Sequence, residues 1–122
     1  MADIQDPAGA PARLSITQTS VGGIRVLALC GEIDADTASG LREALHLDET
    51  TALSRSVLDF SNVTFMDSSG VNILVAAFQR ARAAGGWIRM VAPTTPVQHV
   101  VEIVGLDTII PSYPTVPEAI DA

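Results

Sequence analysis

The sequence predicts one α/β domain built on a small, mostly parallel sheet. Three observations point there. The chain has 122 residues, enough for one compact domain and too few for two. Its composition is 48% apolar, which supplies a real core and argues against general disorder. Along the chain, strand-like segments alternate with helical ones, and strands that alternate with helices imply parallel pairing through right-handed crossovers.

Residues 1–12 have neither a basic start nor an apolar stretch, so they read as a flexible tail rather than a signal peptide. The domain is expected over 13–122. Leu14 to Thr19 alternates apolar and polar residues, the pattern of a half-buried strand. Val21-Gly22-Gly23 is a turn signal, and Ile24 to Cys30 is a second, more apolar strand. Together they predict a hairpin at a sheet edge. Gly31 to Thr37 is expected to leave the sheet, with Asp34 or Asp36 capping the helix that follows. Ala38, Leu41, Ala44 and Leu45 give that helix its inward stripe, and Asp48-Glu49-Thr50 ends it in a polar loop.

Ser56 to Phe60 is a third strand, Ser61-Asn62 is turn-like, and Val63 to Met66 is extended again. After Asp67-Ser68-Ser69-Gly70, the residues Val71, Leu74, Val75, Phe78 and Ala81 recur at helical spacing. Arg80 and Arg82 suit the end of that helix and Gly85-Gly86 stops it. Trp87 to Val91 is a fourth strand. Pro93 to Pro96 opens a third helix with Val97, Val100, Val101 and Val104 on one face, and Gly105 closes it. A short extended piece and a last helix, near Val116 to Ile120, complete the order β-β-α-β-α-β-α-(β)-α.

Charge and composition narrow the function. The net charge is −7 and all seven bases are arginine. That balance disfavours nucleic acid and anionic membrane surfaces, which demand positive charge, and favours a partner with basic contacts. No run reaches the roughly 18 apolar residues of a membrane helix, so the protein is expected in the cytoplasm. Cys30, the single cysteine, lies in an apolar run and reads as a small core residue.

Catalytic patterns fail one by one. The region before Ser69 lacks the first glycine of a G-x-S-x-G nucleophile elbow, and His46 and His99 read as surface residues rather than bases. A phosphate-binding loop needs a lysine, and zinc needs clustered Cys and His. Asp34, Asp36 and Asp67 would hold a cation only if their loops adjoined; caps and surface acids are the simpler reading. Catalytic residues, metal and cofactors are therefore expected to be none.

Asp67-Ser68-Ser69-Gly70 is the most informative stretch. It lies between a strand end and a helix start, where parallel α/β sheets commonly carry sites. On spacing alone it is a helix cap. Its serines are beside free backbone N–H groups, and Gly70 lets another backbone approach.

The segment from Val57 to Gly70 resembles the signature of the STAS domain family, and more narrowly that of the bacterial anti-sigma factor antagonists (anti-anti-sigma factors). Gly31-Glu32-Ile33-Asp34-Ala35-Asp36-Thr37-Ala38 resembles the family's other marked segment. Val104-Gly105-Leu106-Asp107 and Val116 to Ile120 fit as well, so the resemblance runs from about Leu14 to Ile120. One departure is Asn72, where relatives often carry a smaller residue.

The resemblance implies a STAS-type domain with helices packed on one face of the sheet. It implies partner switching: the unphosphorylated antagonist binds an anti-sigma factor, itself a serine kinase of the histidine-kinase-like ATPase fold, and frees the sigma factor. Phosphorylation ends that complex, and a metal-dependent serine phosphatase resets it. Carried onto this chain, Ser68 would be the phosphorylation site, with Asp34, Asp67, Ser69 and Gly70 in the partner-binding surface. Composition and spacing do not separate Ser68 from Ser69. The alternatives are a STAS subunit of a lipid-transport ABC complex and a STAS module of another stress-signalling complex.

Overall fold

The computed structural model describes residues 13–46 and 55–122. The expected tail at 1–12, the polar loop at Asp48-Glu49-Thr50 and the side chain of His46 lie outside the described residues.

Strand β1 (Leu14–Val21) turns through Gly22-Gly23 into β2 (Ile24–Ile33), and the two pair antiparallel with Leu14 opposite Gly31. Helix α1 (Ala38–His46) leads to β3 (Arg55–Met66), α2 (Ser68–Ala83) and β4 (Trp87–Val91). Helix α3 (Thr95–Val104), a short 3₁₀ turn, β5 (Ser112–Tyr113) and α4 (Val116–Asp121) complete the domain. The sheet has five strands in the order β1-β2-β3-β4-β5, with every pair after the first parallel. The alternation legible in the sequence thus becomes a mixed α/β sheet.

Strand parity divides the apolar residues between two faces. Leu27, Leu29, Leu58, Phe60 and Met90 point to one face, where α1, α2 and α3 cover them. Leu41, Leu74, Val97 and Val101 close that layer and are fully buried. Each such side chain contributes about 1.5–3 kcal/mol through area removed from water. Arg25 shares this face, and its guanidinium donates to the carbonyls of Ala44 and Leu45 at 2.7 and 3.1 Å. Both carbonyls belong to the last described turn of α1, so the buried charge ties that part of the helix to the sheet.

The other face holds Val26, Val57 and Val91, and α4 packs there through Ala119. Helices on one face therefore describes α1–α3, while the short closing helix sits opposite. Arg89 holds it: the guanidinium stacks over Trp87 at 3.6 Å from the ring centroid and donates to Ala119 O at 2.9 Å.

Four local expectations change. Ser61-Asn62 is not a turn but lies within β3, where the pairing shifts between Ala28–Asp59 and Cys30–Asn62. The strand carries an extra residue there, a β-bulge, and Asp59 Oδ1 accepts from Ser61 N at 2.9 Å to close it. Glu32 and Ile33 stay in the sheet rather than leaving at Gly31. Val104, the last residue of α3, is half-exposed rather than part of the buried face. Cys30 is exposed, not core: it shares the parity of Val26 and Ala28, beyond the part of that face that α4 covers.

Candidate functional site

The site forms where β2 and β3 end together. Ile33 and Met66 are paired neighbours, and Asp67 N donates to Ile33 O at 3.2 Å. Asp34 and Asp67 directly follow that pair, so the β2–α1 loop and the start of α2 leave the sheet at one tip.

Asp67 is the N-cap of α2, with extended backbone, and its Oδ1 accepts from Ser69 N at 2.8 Å. That bond satisfies an N–H that the helix itself cannot. Ser68 then occupies the first helical position and is exposed, while Ser69 is half-buried with its N–H committed to Asp67. Two adjacent hydroxyls that spacing could not tell apart thus differ in access.

Gly70 is buried, and a Cβ there would lie 2.7 Å from Ile33 Cγ2 and 2.7 Å from Met66 Cγ. The approach expected of backbone is made instead by side chains. Gly70 lets the first turn of α2 sit directly on the ends of β2 and β3.

Asp34 organises the neighbouring loop. Its Oδ1 accepts from Asp36 N at 3.0 Å and Thr37 N at 3.2 Å, in the turn ahead of α1. The Thr37 hydroxyl accepts from Asp34 N and donates to Glu32 O at 2.8 Å. Of the two candidate caps, Asp34 takes the N–H groups. Asp36 instead faces Arg13.

Arg13 is the residue that sequence reasoning missed. Its guanidinium donates to Asp34 Oδ2, to Glu32 Oε1 at 2.9 Å and to Asp36 Oδ2 at 3.2 Å. Arg13 precedes β1, and only the β1–β2 register brings it beside a loop some twenty residues later. Burial alone would push the Asp34 carboxyl up. The N–H groups of Thr37 and Asp36, then the charge of Arg13, outweigh that and hold it below its ordinary value. The Glu32 bond, followed by the charge of Asp34, pushes Arg13 up in turn.

The remaining candidates are apart from this tip. His99 is exposed on α3. Among the described residues no group of three or more His, Cys, Asp or Glu side chains is placed to hold a metal, and no helix is long and apolar enough to cross a membrane. The site presents a hydroxyl and carboxylates on a fixed tip, the makings of a contact surface.

Comparison with known proteins agrees with this fold. The STAS domain model matches residues 15–119, which take in both strand ends, the β2–α1 loop and the start of α2, but not Arg13. The chain belongs to the STAS domain family. It is 32% identical to the anti-sigma-F factor antagonist RsfB of Mycobacterium tuberculosis, over 91% of this chain and 90% of that one. An anti-sigma-B factor antagonist of Listeria monocytogenes is 32% identical over 67% of this chain and 72% of its own. Among solved structures, an anti-sigma factor antagonist from Mycobacterium paratuberculosis superposes with a TM-score of 0.82 at 29% identity. That match covers 92% of this STAS chain and 95% of the other.

Proposed function

We propose that this STAS protein is an anti-sigma factor antagonist whose binding is switched off by phosphorylation of Ser68. The observation that carries the reading is the exposure of Ser68 at the first position of α2, between the capping Asp67 and the tightly packed Gly70. The relatives named for this activity support it. The partner is an anti-sigma factor that is also a serine kinase of the histidine-kinase-like ATPase fold. A metal-dependent serine phosphatase restores the hydroxyl. The chain is the substrate and ligand in this cycle, works in the cytoplasm and catalyses nothing itself.

The physics of the switch follows from the tip. A phosphate adds about −1.5 to −2 of charge beside Asp67. At a helix N-terminus that charge is locally tolerated, because the dipole and free N–H groups favour anions. The fold therefore survives while the surface changes. A partner that accepts a hydroxyl must then bury a dianion next to carboxylates, and like-charge contacts cost several kcal/mol. A loss of about 3 kcal/mol is roughly a hundredfold in affinity.

The test is a pull-down from source-cell lysate with wild-type, Ser68→Ala, Ser69→Ala and Ser68→Asp baits, compared by mass spectrometry. Wild type and both alanine forms should retain a kinase of the ATPase fold, and the aspartate form should lose it. In vitro, that kinase should modify Ser69→Ala but not Ser68→Ala. Recovery of a transporter ATPase by all four baits would overturn the reading in favour of an ABC-complex subunit.

A further inference from the structure

The end of β2 and the loop that leads from it to α1 concentrate negative charge. Glu32, Asp34 and Asp36 lie within five residues, and all three carboxylates meet the single guanidinium of Arg13. Asp34 is gripped from both sides. One oxygen takes the N–H groups of Asp36 and Thr37, and the other takes Arg13. Its side chain is only 17% exposed, against 83% for Asp36. The backbone of Arg13 is fixed as well, since its carbonyl accepts from Glu32 N at 2.8 Å. Gly31 permits that approach: its φ is +121°, and a Cβ there would fall 2.0 Å from Arg13 O.

We propose that Arg13 is a positioning residue of the docking surface, holding the Asp34–Thr37 loop in the arrangement that meets the partner. The inference rests on the antagonist reading above. Without Arg13, three carboxylates repel across a short loop, and Asp34 loses the contact that sets its outer oxygen. The planar guanidinium matters beyond its charge. Its donors reach three acceptors at once, which a lysine ammonium on a flexible stem does poorly. Exposed ion pairs are individually weak, so the effect falls on loop geometry more than on global stability.

The experiment compares wild type with Arg13→Ala, Arg13→Lys and the charge-relief variant Arg13→Ala/Glu32→Gln/Asp36→Asn. Two quantities are read: amide exchange at Asp36 and Thr37, which needs no partner, and KM against kcat for phosphorylation by the anti-sigma kinase. Arg13→Ala should speed exchange at both amides and raise KM roughly tenfold, the summed effect of a few weak pairs, with kcat unchanged. Arg13→Lys should recover part of each effect, and charge relief should recover part of the exchange protection. Unchanged exchange in Arg13→Ala overturns the proposal, as does faster exchange with an unchanged KM. A wild-type protein that no such kinase binds would sink the antagonist reading instead, and exchange alone would then decide whether Arg13 holds the loop.

Discussion

At Gly70 two opposing effects can be weighed against each other. Replacing a helical glycine by alanine ordinarily stabilises by about 0.5–1 kcal/mol through chain entropy. Here the added methyl meets Ile33 Cγ2 and Met66 Cγ, both at 2.7 Å, inside a packed layer. Met66 can adjust, because its side chain is flexible, whereas the branched Ile33 is anchored in β2. Overpacking of this kind costs about 1–3 kcal/mol and should win. Gly70→Ala is therefore expected to lower stability by roughly 1–2 kcal/mol in urea unfolding. An increase in the unfolding midpoint would show that α2 is not tightly seated on the strand ends. The capping role of Asp67 was legible in the sequence, since an acid before an apolar-periodic run is a local signal. Arg13 was not, because its partners are set by strand register, and no local pattern encodes a contact between residues 13 and 34.

Among the elements, strands and helices were read well where periodicity was strong, and α2 and α3 start and stop close to their expected limits. The reading failed where one strand does two things. Ser61 and Asn62 have the composition of a turn, and an Asx contact from Asp59 does bend the chain there. Yet Asn62, Val63, Phe65 and Met66 pair with β2, with a second register shift at Thr64, so the bend is absorbed within the strand. The placement of α4 was equally hidden, because a six-residue helix has too little periodicity to declare a face. Its attachment depends on Arg89. Arg89→Ala removes a hydrogen bond worth about 0.5–1.5 kcal/mol and a cation–π contact of about 0.5–1 kcal/mol. Exchange at α4 amides should quicken while α1–α3 stay protected. Unaltered protection of α4 would mean that the Ala119 packing alone secures it.

Across the whole molecule, the two faces of the sheet are unequal. Three helices cover one face, and among the described residues a single short helix covers part of the other. Apolar runs in parallel strands ordinarily signal burial on both faces, which is why Cys30 read as core. Here Val26 is sheltered on the α4 side, while Ala28 and Cys30, further along the same strand and parity, are exposed. The asymmetry predicts how the one thiol behaves. A buried cysteine reacts only when the protein opens, and global unfolding at ordinary stabilities of about 5–15 kcal/mol would slow labelling by more than a thousandfold. An exposed Cys30 needs no opening. A disulfide-exchange reagent should therefore modify it in the native protein to one equivalent per chain, and moderate urea should change the rate little. Labelling that waits for the unfolding transition would mean that the outer face is covered after all, and that the layering drawn from strand parity is wrong.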